Sequence, residues 1–265
     1  MEAVSRFCSL QSGSNGNALY FENGKTKLLI DCGISAKRVA ERLAELGVAA
    51  AELDGILVTH EHGDHVAGIR VFAKRFGTPV YATAGTLAAV EEQRGSVETE
   101  MHVLRAGQPF DIGSVTVQPF DLPHDAREPV GYILHTGERK IAIATDMGKI
   151  CETIALEMKS SDFVFLESNY DEMMLKTGRY HPQLKRRILS SEGHFSNDQA
   201  AKFAAALVRS GTGNIMLGHL SANNNRPPLA YGRVSEEIRR QGAEIGADVL
   251  LEVASRSGAG KIVDI

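Results

Sequence analysis

Short apolar runs punctuated by turn residues open the chain: Arg6 to Leu10, Ala18 to Phe21 and Lys27 to Ile30. They read as strands, and Asn23-Gly24 between the last two predicts a hairpin turn, because both residue types tolerate positive φ. From Ala36 to Leu46 apolar positions recur at helical spacing and stop at Gly47, a suitable C-cap. Ile56-Leu57-Val58 is a short buried strand, Asp64 to Phe76 reads as a helix, and Pro79 to Tyr81 begins another extended piece. Between His102 and Thr145, β-branched runs divided by Gly, Pro and Asp predict strands of a second sheet at Val115 to Phe120, Val130 to Leu134 and Lys140 to Ala144. Further strands are expected at Phe163 to Leu166, Ile215 to Leu217 and Val249 to Glu252. Helices are expected at Pro182 to Leu189, Asn197 to Val208 and Pro227 to Gln241. No low-complexity linker, charge block or close internal repeat separates the halves. The pattern therefore predicts an α/β fold in one domain over residues 1–265, two sheets with helices outside them, layered αββα as a four-layer sandwich.

Composition adds limits. With 265 residues, 43% hydrophobic and 23% charged, the chain can bury a full core. No apolar run reaches the length of a membrane span, and the segment from Met1 to Phe7 lacks the basic start, apolar core and cleavage site of a secretory signal. No membrane association and a cytoplasmic location are the expectation. Cys8, Cys32 and Cys151, an odd number at wide spacings, fit reduced thiols. A formal charge of -4 disfavours a surface that binds nucleic acid everywhere, while leaving room for a local basic patch. No heptad or exposed apolar stripe announces an oligomer.

The densest chemistry is Thr59-His60-Glu61-His62-Gly63-Asp64-His65, directly after a predicted strand and before a predicted helix. Imidazole and carboxylate are the ligands of Zn²⁺ and similar borderline metals, and a loop lets side chains two apart point at neighbouring ions. Packing alone does not account for such a run.

This H-x-H-x-D-H loop resembles the signature of the metallo-β-lactamase superfamily, and the resemblance extends along the chain. Pro123-His124-Asp125, Ala144-Thr145-Asp146 and Leu217-Gly218-His219-Leu220 follow in the order of that family's later ligands, each after an apolar run. The resemblance implies the metallo-β-lactamase fold and two divalent ions, Zn, Mn or Fe. His60, His62 and His124 would hold the first, Asp64, His65 and His219 the second, and Asp146 would bridge them. Taken alone, His124 and His219 read as ordinary loop histidines and Asp146 as a helix N-cap. Asp31 resembles the family's early aspartate, which orients a ligand histidine; a turn role beside Gly33 stays open. Paired ions of this kind acidify water and clamp a developing oxyanion, which is machinery for hydrolysis.

Gly193-His194-Phe195-Ser196-Asn197, with Ala200 and Ala201 on the following helix, resembles the histidine segment of the nuclease branches, where the histidine acts at the scissile phosphate. Capping by Ser196 or Asn197 is the alternative reading, and it leaves His194 unexplained. Ser12-Gly13-Ser14-Asn15-Gly16-Asn17, Glu167-Ser168-Asn169-Tyr170, and Gly218-His219-Leu220-Ser221 followed by Asn223-Asn224-Asn225 are similar to the YycJ/WalJ-like (VicX-like) subfamily. That resemblance implies a 5′-to-3′ exonuclease acting on double-stranded DNA, with Asp64 and His194 catalytic. Ser12, Asn15, Asn17, Ser221 and Asn224 are candidates for substrate contact, with a glycine-rich turn as the alternative for the first three and a role only in fixing the loop as the alternative for the asparagine run after His219. Lys185-Arg186-Arg187 is either a phosphate contact or a solvated helix face. Tyr180-His181-Pro182 departs from the subfamily by placing a histidine before the proline. Between Asp146 and His219 there is no room for the inserted domain of the β-CASP nucleases. A hydrolase of small esters, thioesters or lactams is the enzymatic alternative, which would have no need of His194. A non-catalytic scaffold is the third reading, disfavoured by the full ligand set.

Overall fold

The computed structural model describes residues 4–265; Met1, Glu2 and Ala3, the start of the segment read for a secretory signal, lie outside the described residues. The chain forms two compact units. The first runs to Asp121 and takes in Ala126–Arg139 and Ser255–Ile265; the second comprises Leu122–Asp125 and Lys140–Ala254.

The first unit begins with β1 (Ser5–Gln11), β2 (Ala18–Asn23) and β3 (Thr26–Ile30). Then come α1 (Ala36–Glu45), β4 (Gly55–Leu57), α2 (Gly63–Val66), α3 (Ile69–Phe76), β5 (Val80–Thr83), α4 (Ala84–Arg94) and β6 (Met101–Leu104). Its sheet runs from the C-terminal strand Val263–Asp264 through β1, β2, β3, β4 and β5 to β6, antiparallel as far as β3 and parallel beyond it. β3 and β4 are in register at Ile30↔Leu57. Their carboxyl ends therefore emerge side by side, which brings Asp31 beside Thr59. On one face, Val39 and Leu43 of α1 and Ile69 and Phe72 of α3 pack on Leu29, Ile56, Val58 and Val80. Each such side chain, taken fully out of water, contributes about 1.5–3 kcal/mol. β7 (Phe110–Ile112), β8 (Val115–Asp121) and β9 (Val130–Thr136) follow as an antiparallel meander.

Three details depart from the sequence pattern. The helix expected over Asp64 to Phe76 is broken between α2 and α3, because Gly68 is drawn against the preceding segment. Its N–H donates to the Cys32 carbonyl at 2.8 Å, and a Cβ there would lie 2.0 Å from the Ile34 oxygen. The hairpin turn is shifted by one residue. Asn23 pairs with Thr26 as the last residue of β2, so the central residues are Gly24 and Lys25, and Gly24 alone takes positive φ, at 59°. α4 was not foreseen, since its buried face of Thr86, Leu87, Ala89 and Val90 is made largely of small residues and carries little periodic signal.

The second unit alternates strand and helix: β10 (Arg139–Ala144), α5 (Glu152–Met158), β11 (Phe163–Glu167), α6 (Glu172–Thr177) and α7 (Pro182–Ile188). It continues with α8 (Asn197–Arg209), β12 (Asn214–Gly218), α9 (Pro227–Arg240) and β13 (Leu250–Val253). The strands are parallel in the order β10, β11, β12, β13. β11 is buried at every position, which explains its unbroken apolar run Phe163 to Leu166. Ala144, Leu166 and Leu217 are in register, so Asp146, Glu167 and His219 leave the sheet at the same edge. The short helices α5 and α6 were not anticipated. In the first unit, β14 (Val263–Asp264) closes the chain against β1.

Candidate metal centre

In the first unit the strand β4 delivers His60, His62, Asp64 and His65 into one loop and the turn of α2. The His60 ring lies 4.1 Å from that of His65 and 4.7 Å from that of His62, centroid to centroid. A relay of hydrogen bonds sets the faces of two of them. Asp31 Oδ2 accepts from His65 Nδ1 at 2.7 Å and from the Thr59 hydroxyl at 2.8 Å, and Oδ1 accepts from the Thr59 amide at 2.8 Å. The Thr59 hydroxyl in turn lies 3.0 Å from His60 Nδ1. With Nδ1 engaged on His60 and His65, Nε2 is the nitrogen by which each would meet a metal ion, the arrangement that oriented metal ligands show. Behind the loop, three backbone bonds brace it: Asn17 N–H to Asp64 O at 2.7 Å, Cys32 N–H to His65 O at 2.8 Å, and Gly33 N–H to Asn17 O at 2.7 Å. Gly33 is required for this approach, since a Cβ there would sit 1.6 Å from Asp64 O.

In the second unit, Asp146, Glu167, His194 and His219 each place a donor atom within 4.8 Å of the others. Glu167 is at the centre. Its Oε1 faces His194 Nδ1 at 2.8 Å and His219 Nδ1 at 2.9 Å; its Oε2 accepts from the amides of Met147 at 2.8 Å and Phe195 at 3.2 Å. Asp146 Oδ1 also contacts His219 Nδ1, and lies 3.1 Å from His194 Nδ1. His124 donates from Nδ1 to the Gly193 carbonyl at 3.0 Å, with its ring centroid 5.2 Å from that of His194. Burial opposes the charge on Glu167, but the facing His194 and the hydrogen bonds from His194 and His219 hold its pKa below the ordinary glutamate value. Burial likewise opposes a proton on His194, yet the Glu167 and Asp146 carboxylates prevail and push its pKa up to about 9. Sequence reasoning quoted Glu167 within a motif but gave it no role.

Four described non-glycine residues take positive φ, and three belong to these clusters: Asp31 at 60°, Asp146 at 52° and His219 at 51°. Each follows a strand end by one or two residues. Such conformations cost roughly 1 kcal/mol or more apiece, and they persist where the surroundings over-determine a functional geometry. The imidazole and carboxylate donors of both units fit borderline divalent metal ions.

The model of the Beta-lactamase superfamily domain matches residues 26–219. The chain belongs to the metallo-β-lactamase superfamily. It is 38% identical to the exodeoxyribonuclease YycJ of Bacillus anthracis over 241 residues, 91% of either chain. It is 33% identical to the exodeoxyribonuclease WalJ of Streptococcus pneumoniae over 263 residues, 98% of either chain, so it falls in the YycJ/WalJ-like group of the superfamily. The metallo-beta-lactamase fold protein YhfI of Bacillus subtilis superposes with a TM-score of 0.74 at 17% identity, covering 99% of this chain and 100% of that one. Zn(2+)-bound PqqB from Methylobacterium extorquens gives 0.71 at 16% identity, covering 98% and 100%. These likenesses carry the α/β metallo-β-lactamase fold expected from the sequence.

Within that family fold, the loops singled out by motif are tightly tied. Asn17 is buried; its Oδ1 accepts from the Gly13 amide at 2.8 Å and the Ser12 hydroxyl at 3.3 Å, and its Nδ2 lies 3.0 Å from His65 Nε2. Ser12 is buried beside it, while Asn15 is exposed. Ser221 and Asn224 are also buried, the Ser221 hydroxyl accepting from the Asn224 amide at 3.1 Å. His181, the departure from the subfamily pattern, is the N-cap of α7, accepting from the Gln183 amide at 3.4 Å. Within the basic run on α7, Lys185 donates to the Lys176 carbonyl at 2.8 Å, and Arg187 grips Asp125, next to His124, with two nitrogens. No helix of the described residues is long and apolar enough to cross a membrane.

Proposed function

We propose that the protein is a cytoplasmic, divalent-metal-dependent exonuclease that hydrolyses phosphodiester bonds in double-stranded DNA from the 5′ end. The observation that carries this reading is His194, fixed by Glu167 among metal donors at a strand edge. A hydrolase of small esters or lactams would have no need of that histidine. Extended identity to two exodeoxyribonucleases supports DNA as the substrate. The family match from 26 to 219 runs through both units, which supports reading them as halves of one domain.

The proposed ligand set follows the family: His60, His62 and His124 for one ion, Asp64, His65 and His219 for a second, and Asp146 shared between them. Zn²⁺, Mn²⁺ and Fe²⁺ all suit these donors. When bound, such ions supply Lewis acidity toward water and the phosphoryl oxygens. The chain does the rest. Asp31 and Thr59 hold the faces of His65 and His60, and the Gly193 carbonyl holds that of His124. Asp64, partly exposed, orients the attacking water and accepts its proton. His194, turned by Glu167 at Nδ1, presents Nε2 to the scissile phosphate and gives a proton to the leaving oxygen.

The test is cleavage of end-labelled linear duplex DNA by purified protein reloaded with Mn²⁺ or Zn²⁺, beside an Asp146→Ala control and a panel of β-lactams and thioesters. The expected result is stepwise shortening from the 5′ end that vanishes in the control, with His194→Ala slowed but still metal-bound. Inert DNA together with turnover of a thioester or lactam would overturn the reading. An unchanged nuclease rate in His194→Ala would remove that residue from the mechanism.

A further inference from the structure

The second unit carries an open groove of about 420 Å³, lined by Phe195, the residue after His194, and by none of the proposed ligands. Its floor is apolar, formed by Phe195, Phe203, Ala206 and Ile150, and its rim carries Lys149 and Lys202. Phe195 and Phe203 are buried in the floor while both lysines are exposed. Neither lysine has a carboxylate within ion-pair distance among the described residues. Asp198, one helical turn before Lys202 and its natural partner, is taken by Arg233 Nε at 2.5 Å. Two cations on the rim of an apolar floor match a nucleotide strand, whose bases are flat and apolar on their faces and whose phosphates are anionic.

The rim is built, not incidental. Gln199 ties its two sides together: its Oε1 accepts from the Ser196 amide at 2.9 Å in the cap of α8, and its Nε2 donates to the Gly148 carbonyl at 3.1 Å. Gly148 also donates to Pro123 O at 3.0 Å, and a Cβ there would lie 2.4 Å from the Ser191 backbone. Lys149 is thus held three residues from Asp146, and Lys202 on the helix that begins just after His194. The groove's own Phe195 donates its amide to Glu167, the group that orients His194.

We infer that this groove seats the nucleoside next to the scissile phosphate, with Lys149 and Lys202 pairing the phosphates that flank it. The inference rests on the reading of the protein as a DNA-acting hydrolase and adds where the strand is gripped. Its size, toward the lower end of the ~300–1,000 Å³ range of small-molecule sites, suits one nucleoside. Seating one base face on that floor requires the strand to be unpaired at its end.

The test reads binding, not turnover: fluorescence anisotropy of a labelled duplex with a short single-stranded end, on metal-chelated full-length protein, across a salt series. The variants are Lys149→Ala/Lys202→Ala, the rescue Lys149→Arg/Lys202→Arg, and a control of equal charge, Lys37→Ala/Lys74→Ala. The alanine pair should weaken binding about tenfold and flatten the slope of log Kd against log salt by roughly one to two, while the arginine pair and the control stay near wild type. Wild-type binding in the alanine pair, an equal loss in the control, or no saturable binding by the unaltered protein would each overturn the inference. Lysine-dependent binding by a protein that, once metal-loaded, leaves DNA uncut would uphold the groove and overturn the exonuclease reading.

Discussion

Glu167 shows how a residue can organise a site without announcing itself. A single glutamate between Leu166 and Ser168 has no ligand spacing around it, so the sequence offers no reason to separate it from any carboxylate at a strand end. In the fold, two imidazoles and two amides converge on it. Removing its charge while keeping its shape isolates that role. Glu167→Gln should lower kcat roughly 10–100-fold, the usual loss when a partner that orients a site's histidine is removed, with KM for DNA little changed. Combined with His194→Ala it should cost less than the product of the two single losses, because the second change then removes only the hold on His219 and the two amides. Steady-state kinetics on the two single variants and the double variant check both statements; full additivity would show that Glu167 acts apart from His194. The histidines and aspartates themselves were legible, since three imidazoles and a carboxylate in one short loop have no packing explanation. The left-handed backbone of Asp31, Asp146 and His219 was not, because Asp and His visit that region often enough that their presence carries no signal.

At the scale of elements, what the apolar pattern reveals depends on how strongly an element is buried. β11, buried throughout, and α8, with Phe203, Leu207 and its alanines facing inward, were visible as an apolar run and a helical stripe. The break at Gly68 was not, because it arises from the Cys32 and Ile34 carbonyls of a distant segment, and no local pattern encodes that approach. α8 also separates two roles that the sequence left entangled. Ser196 caps the helix through a reciprocal capping box with Gln199, while His194, two residues earlier, lies outside the cap and on Glu167. Ser196→Ala should therefore cost about 1 kcal/mol of stability, within the 0.5–2 kcal/mol usual for a lost cap. Because Gln199 keeps its bond to Gly148, kcat should stay within about twofold of wild type. Urea unfolding and DNA kinetics on the same preparation test the separation, and a large kcat loss at unchanged stability would mean the hydroxyl itself serves the reaction.

For the whole molecule, metal binding separates the roles of the donors, since His194 stands within the same 4.8 Å cluster as Asp146, Glu167 and His219. Thermal stability reads that separation without reference to turnover. An ion that binds only the folded chain stabilises it by about 2.7 kcal/mol at a hundredfold excess over its Kd. For a protein of this size each kcal/mol raises Tm by roughly 2–4 °C, so saturating Mn²⁺ or Zn²⁺ should lift the melting transition of the chelated protein by about 5–10 °C per ion. Asp146→Ala, which removes the carboxylate proposed to be shared, should lose most of that lift. His194→Ala should keep it, because Glu167 occupies its Nδ1 and the proposed role of its Nε2 is toward the phosphate. Glu167 Oε1 also faces Nδ1 of His219, a proposed ligand, so Glu167→Gln should lose part of the lift. A His194→Ala protein that no longer responds to metal would make the histidine a ligand, move the proton transfer to another group, and leave Glu167 as the orienter of two metal-binding imidazoles.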